Sequence, residues 1–313
     1  MASLDTPGMQ AAIARRIQTD IASHSIEKHK DNSGHRKHLG ASEIGQSCSR
    51  KLWYIFRWCF SAQFKVVDPK TLQPDPEQTH INKGRMMRLF NRGHEEEPRI
   101  IEHLKGIGVQ VWAHDASGEQ FHISGVLGHF GGSLDGICRL PESYGIDEPV
   151  LLECKTNGSH YVMKDLAKDG TMIKVKGQHY AQMCCYGSDP KYNFNFALYV
   201  LVNKSDDVIY IELVKLNHSI GKEMLAKAEQ VVLSRVPPPR LSDNPTYWEC
   251  KFCDAFEICH KDALPEQNCR SCINVQPIEN KQWYCHAHNS AIPEDFIPNA
   301  CPTYQPVTQI RRK

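Results

Sequence analysis

The sequence has no stretch apolar enough for a bilayer. A spanning helix needs roughly 18 or more consecutive uncharged residues, and charged side chains interrupt every apolar run. The N-terminal segment MASLDTPGMQAAIARRIQTD carries charges where a secretory signal needs its apolar region. The expectation is therefore a soluble cytoplasmic chain with no membrane partner. The phosphate-cradling pattern Gly-x4-Gly-Lys-Ser/Thr is missing, which excludes an ATP-driven motor in this chain. No repeat with a period of roughly 20–50 residues is present, which excludes solenoids and propellers. Neither sign of charge dominates: 37 basic and 36 acidic side chains leave a net charge of +1. A nucleic-acid surface, if there is one, must then be local. Lys83, Arg85, Arg88, Arg92 and Arg99 form one such cluster, and a solvated helix face explains it equally well.

What the chain does have is cysteine. Thirteen are spread over 313 residues, seven of them after residue 249. In a reducing compartment, clustered cysteines act as metal ligands more often than as disulfides. The length suits one large domain plus a small appendage, or two modest domains. With 41% apolar and 23% charged residues, the balance is that of an ordinary globular protein.

Apolar periodicity and the Gly/Pro punctuation divide the chain into segments. Residues 1–40 read as a helix over about 9–23 and then a polar, mobile segment, EKHKDNSGHRKH. Leu52, Ile55, Phe56 and Cys59 follow helical spacing. The proline-rich 66–80 reads as a loop. A helix over about 81–105 contains Gly93 and Pro98, each costly in a helix interior. Strands follow in VQVWAH, QFHISG, HFGGSLDGICRL and PVLLECKT. After them come a helix over 177–187, two strands in FALYVLVN and DVIYIELVKL, and a helix over about 218–235. VPPPR ends that helix and reads as a linker. The order predicts an α/β core with helices on a mixed sheet. Domain limits are expected at 1–40, 41–260 and 261–313.

One constellation carries chemistry. Asp135 follows two glycines and Ser133, and Glu153 and Lys155 flank Cys154 in an apolar strand. Period-2 geometry puts Glu153 and Lys155 on the same face. Two acids and a lysine are expensive to desolvate unless a cation offsets the cost. Hard oxygen donors suit Mg²⁺ or Mn²⁺, which polarise a phosphoryl oxygen and acidify bound water. The backbone carbonyl of Cys154 is a further candidate ligand. Upstream, RGHEEEPRI offers His94 and Glu97, three apart on one helix face; downstream, Gln182 and Tyr186 are four apart and share a face. Each of these motifs also has a plain reading as a surface ion pair, a solvated face or core.

Taken in order, GHEEEP, GGSLDG, LLECKT and Gln-x3-Tyr resemble the RecB-like exonuclease branch of the PD-(D/E)XK superfamily. That resemblance implies a restriction-endonuclease-like α/β/α core. It gives Asp135 and Glu153 the metal, Lys155 the catalytic lysine, and Gln182 and Tyr186 the helical motif. The upstream ligand is a histidine in RecB-type members and a glutamate in lambda-exonuclease-like ones, so His94 and Glu97 both stand. Cys48 before the core, with Cys250, Cys253 and Cys259 after it, resembles the iron–sulfur nucleases of this superfamily. This implies a [4Fe–4S] cluster closing a long loop; zinc would accept the same four thiolates. Cys269-x2-Cys272 with Cys285 and Cys301 reads as a small zinc-type site, with His286 or His288 able to replace a cysteine. Such a module needs a metal to order a tail too short for its own core. Cys59, Cys138, Cys184 and Cys185 read as core. Stand-alone members of this branch commonly occur in bacteriophages and mobile elements. The function expected is a metal-dependent DNA exonuclease that resects ends for recombination or repair, with DNA as partner and a single-strand annealing or recombination protein as a further one. An endonuclease of the same fold, structure-specific or nicking, and a non-catalytic DNA-binding protein are the competing expectations.

Overall fold

Alternation along Val150–Asn157 organises the fold. Val150, Leu152 and Cys154 join one apolar cluster, while Leu151, on the opposite face of the strand, joins another. The strand is therefore covered on both faces, as in a layered α/β arrangement. The computed structural model describes residues 7–29, 35–61, 66–67, 74–169 and 171–309.

In chain order the strands are β1 (Leu39–Gly40), β2 (Val66–Val67), β3 (Pro74–Asp75), β4 (Gln110–Trp112), β5 (His122–Gly125), β6 (Phe130–Ser133), β7 (Gly136–Arg139), β8 (Val150–Asn157), β9 (Phe196–Asn203), β10 (Ile209–Lys215), β11 (Val275–Pro277), β12 (Trp283–Cys285) and β13 (Ser290–Ile292). The helices are α1 (Pro7–Lys28), α2 (Ser49–Phe56), α3 (Pro76–Gly106), α4 (His160–Asp169), α5 (Met172–Val175), α6 (Gly177–Gly187), α7 (His218–Leu233), α8 (Trp248–Lys251) and α9 (Phe256–His260).

The chain clusters into two compact units, and α3 contributes to both. The smaller unit covers 1–35 and 62–96. There α1 lies tight against α3: a Cβ on Gly84 would stand 2.6 Å from the Ala22 Cα, so only glycine permits the approach. Ser23 bonds to His80 at 2.9 Å, and Arg88 donates to the Ser25 hydroxyl at 3.0 Å. Val66–Val67 and Pro74–Asp75 pair as antiparallel strands; the residues between them lie outside the described part. So do residues 30–34 of the polar segment expected to be mobile.

The larger unit covers 36–61 and 97–313. Its main sheet has the order β10-β9-β8-β7-β4, with β8 and β9 parallel and the other pairs antiparallel. This is the mixed sheet expected from the sequence. Ile100 and Leu104 of α3 cover one face over Val150, Leu152, Leu198 and Val200. The other face packs on α2, α6 and α7 through Leu151, Tyr199, Leu201, Met183 and Val231. Each such aliphatic side chain contributes about 1.5–3 kcal/mol by leaving water.

Several elements differ from the sequence expectation: 66–80, read as a loop, holds β2, β3 and the start of α3. HFGGSLDGICRL reads as one strand but forms two in different sheets: β6 pairs with β1 and β5, and β7 joins the main sheet. The chain turns between them at Leu134–Asp135. The helix read over about 81–105, made irregular by Gly93 and Pro98, runs unbroken from Pro76 to Gly106. Helices α4 and α5, between β8 and α6, have no counterpart in the sequence reading.

Candidate active site

Asp135 stands at the corner where the chain leaves β6 and enters β7. Gly136 pairs with Leu152, and the regular ladder stops there. The Asp135 carboxylate replaces the missing rung: its Oδ2 accepts from the Cys154 amide at 2.7 Å. Glu153 and Lys155 flank that amide. Glu153 is fully buried, and its carboxylate forms a close ion pair with the Lys155 ammonium. Lys155 Nζ also lies 3.9 Å from Asp135 Oδ2. The structure thus brings together the three residues read from sequence.

Their electrostatics follow from burial. Desolvation, countered by Lys155 and reinforced by Asp135, pushes the Glu153 carboxyl up to about 7. Burial pulls Lys155 down, but Glu153 and Asp135 outweigh it and raise the ammonium above its ordinary value. Lys155 therefore keeps its charge throughout the physiological range.

Glu97, on α3 in the same unit, is near enough to add to the upward pressure on Glu153. It is half-buried, whereas His94 is exposed and belongs to the unit that ends at Glu96. The thiol of Cys154 packs into the opposite core beside Val200 and Leu152. Any contribution of Cys154 to a metal must come from its backbone.

Helix α6 braces the corner. Gln182 Nε2 donates to the Tyr186 hydroxyl at 3.1 Å, and that hydroxyl donates to the Ser133 carbonyl at 3.0 Å. Both residues are buried, so they support β6 and the approach to Asp135. Gly132 makes room for this chain: a Cβ there would stand 2.5 Å from the Tyr186 Oη and 2.9 Å from the Ala41 Cβ.

Sequence reasoning missed His179 and Tyr199. Tyr199 pairs with Glu153 in the β8–β9 register, and its hydroxyl lies 2.8 Å from His179 Nδ1. Burial first, and then Lys155 and Lys176, push His179 down to about 3, so the ring is neutral. The signal was present: His179 precedes Gln182 by three and Tyr186 by seven, one stripe of α6.

The cysteines fall in two groups within the larger unit. Cys48, Cys250, Cys253 and Cys259 line one open cavity of about 470 Å³. Burial raises the Cys250 and Cys253 thiols, and Cys48 adds to both. Around the tail sheet β11-β12-β13, burial and then Cys301, Cys272 and Cys285 push Cys269 up to about 11. Cys59, Cys138, Cys184 and Cys185 are buried, as expected.

Among the described residues, no three His, Cys, Asp or Glu side chains are arranged to hold a metal ion as they stand. The donor chemistry at Glu153 nevertheless fits a hard divalent cation. Beyond the Lys155 ion pair, neither of its buried oxygens has a hydrogen-bond partner among the described residues. A second carboxylate is adjacent, with the Lys155 ammonium between them.

No protein-family model matches the chain, and no curated protein matches its sequence. Among solved structures, SSO0001 superposes with a TM-score of 0.41 at 16% identity, over 78% of this chain and 96% of that one. The alkaline exonuclease LHK-Exo from Laribacter hongkongensis gives 0.37 at 14% identity, over 63% and 87%. LHK-Exo in complex with dAMP gives 0.35 at 13%, over 62% and 86%.

Proposed function

We propose that this chain is a divalent-metal-dependent deoxyribonuclease of the PD-(D/E)XK type that degrades DNA from its ends. The observation that carries the reading is the burial of Glu153 beside Asp135, with Lys155 as its charged neighbour. Lys155 offsets part of the cost of burying Glu153 beside Asp135, a divalent cation would offset the rest, and a binding module has no use for such a costly arrangement. Mg²⁺ or Mn²⁺ held by Asp135 and Glu153, with Glu97 as third acid and the Cys154 carbonyl as further ligand, supplies Lewis acidity and an acidified water.

The chain's own residues do the remaining work. The Cys154 amide occupies Asp135 Oδ2 and leaves Oδ1 for a ligand. Lys155, charged at every working pH, stabilises the negative charge that builds on the phosphate oxygens during displacement. Gln182 and Tyr186 act through Ser133 and hold the corner that presents Asp135. The motifs Gly93–Pro98, Gly131–Gly136, Leu151–Thr156 and Gln182/Tyr186 carry the chemistry, and the preference for ends comes only from the resemblance of their order to RecB-like exonucleases.

The same reading assigns a [4Fe–4S] cluster to Cys48, Cys250, Cys253 and Cys259, with Zn²⁺ as the other occupant. All four line one cavity, and either group takes four thiolates.

The test is digestion of end-labelled linear duplex and of closed circular DNA, with Mg²⁺, Mn²⁺ or EDTA. Metal-dependent loss of linear DNA, with circles spared, is the expected result. Full activity in EDTA removes the metal mechanism, and equal cleavage of circles removes the end-dependent reading. Binding of DNA without any cleavage returns the chain to a non-catalytic role.

A further inference from the structure

Two arginines in the larger unit are buried, and among the described residues neither forms an ion pair. Arg57 and Arg270 are each 1% exposed. Among the described residues their hydrogen bonds go only to carbonyls: Arg57 to Arg270, Val275 and Ser234, and Arg270 to Arg36 and Lys37. Among the described residues, Arg270 Nε and Nη2 and Arg57 Nε have no hydrogen-bond partner. Aromatic rings enclose both. The Arg270 guanidinium lies 4.4 Å from Trp58 and 4.6 Å from Phe56 and from Trp283. Arg57 lies 5.4 Å from Trp53 and 5.4 Å from the same Trp283. Ring faces and carbonyls attract a cation, yet two like charges sharing one indole repel. Buried charge without compensation is the costliest arrangement a core can hold.

The negative groups that reach them are thiols: Cys59 acts on both, and Cys272 acts on Arg57. Arg270 lies inside the turn Cys269-Arg270-Ser271-Cys272, which the Cys272 amide closes on the Cys269 carbonyl at 3.1 Å. Trp283, the ring both arginines share, precedes Cys285 by two residues on β12. The chain after Ile297 returns alongside: the Cys269 amide donates to the Ile297 carbonyl at 2.9 Å, Ile273 donates to Gln305 at 2.9 Å, and Cys272 bridges Pro306. Cys269 Sγ lies 3.2 Å from the carbonyl of Asn299, two residues before Cys301.

We propose that Cys269, Cys272, Cys285 and Cys301 bind one Zn²⁺, and that the resulting tetrathiolate, doubly negative, is the counter-charge of Arg57 and Arg270. Four thiol protons leave to solvent as the ion enters, and two buried positive charges then face two net negative ones. Two of the four thiols have other polar neighbours. Cys269 Sγ faces the Phe296 and Asn299 carbonyls, and Cys301 Sγ faces Thr303 Oγ1 at 3.1 Å. Deprotonation removes the Cys269 donor that holds its orientation. The ion ties three chain segments together in a tail of short strands, where metal binding is folding energy. The site is independent of the nuclease reading.

The experiment is hydrogen exchange by mass spectrometry on the full chain, stripped of metal under reductant and then reloaded with Zn²⁺ alone. Reloading is expected to slow exchange across residues 268–307. Cobalt in place of zinc should give the visible bands of a tetrahedral thiolate complex. No change in 268–307, or protection confined to the neighbourhoods of Cys48 and Cys250–Cys259, overturns the proposal. Cys269→Ser and Cys301→Ser, both at half-buried positions, should each abolish the protection of 268–307. Retained protection in both also overturns it. Arg270→Met should weaken zinc binding by about 10–100-fold, the effect of losing an outer partner of a metal site; unchanged affinity rejects the counter-charge.

Discussion

The amide of Cys154 and the carboxylate of Asp135 share a 2.7 Å hydrogen bond that joins the sheet corner to the strand carrying Glu153 and Lys155. The position of Asp135 is thus set by β8. Asp135→Asn keeps a carbonyl acceptor for the amide and loses the charge. The expected outcome is an intact fold with DNA cleavage reduced by about 100-fold or more, the scale of removing a principal electrostatic group. Asp135→Ala leaves the Cys154 amide unpaired and should cost a further ~1–3 kcal/mol of stability. Urea denaturation of the two variants measures the difference; equal stability would show that the bond does not hold the corner.

Glu153 links metal binding to pH. Its folded value, pushed up to about 7 by burial, lies above the ordinary carboxylate value of 4.5. The folded state therefore holds a proton that the unfolded state has released between these two values. In metal-free protein this contribution to stability is complete below about pH 4.5 and is lost as pH rises through about 7. Thermal melts of metal-free protein from pH 5 to 8 should fall along that window. Glu153→Gln should flatten the fall, and Mn²⁺, which binds the ionised form, should reverse it. A melt in Glu153→Gln with the same slope as the parent would assign the effect to other groups.

The central elements were readable because their apolar patterns are unambiguous. Val150–Asn157 opens on an apolar run, Phe196–Asn203 is another, and Gly177–Gly187 reads as a helix. Period two alone put Glu153 and Lys155 on one face. The split of HFGGSLDGICRL was not readable, because β6 and β7 are both apolar and only pairing partners distinguish their sheets. The uninterrupted α3 overrides the local cost of Gly93 and Pro98. Ile100 and Leu104, just beyond the proline, pack on the sheet and hold the helix in line. Tyr199 was hidden for another reason: in an apolar strand a tyrosine looks like packing until its hydroxyl is seen beside His179. The buried arginines gave no sequence signal, since nothing local separates them from surface charge.

Gly132 and Tyr186 are sterically coupled. A Cβ at Gly132 meets the Tyr186 Oη at 2.5 Å. Gly132→Ala should destabilise by about 1–3 kcal/mol, the range for overpacking a core, and should displace the hydroxyl from the Ser133 carbonyl. Removing that hydroxyl in Gly132→Ala/Tyr186→Phe should restore part of the loss, because the closest contact goes with it. Recovery stays partial, since the Ala41 Cβ at 2.9 Å and the Tyr186 ring at 3.1 Å remain. A double-mutant cycle by denaturant titration gives the coupling, and strict additivity would refute it.

Tyr199 and His179 offer a separate test of what positions Lys155. Tyr199 is fully buried, and its hydroxyl lies 2.8 Å from the neutral His179 ring. Tyr199→Phe keeps the packing of the ring but leaves His179 Nδ1 without its partner, at a cost of about 1–3 kcal/mol. His179→Leu removes the polar group from the other side. If the pair acts only on each other, the double variant should recover stability over Tyr199→Phe and cleave DNA at the parental rate. If the pair also fixes the surroundings of Lys155, whose charge reaches both residues, the double variant should regain stability and still show a lowered kcat with unchanged KM. We expect the second outcome, because Tyr199 pairs with Glu153 in the β8–β9 register and shares the face that carries the ion pair with Lys155.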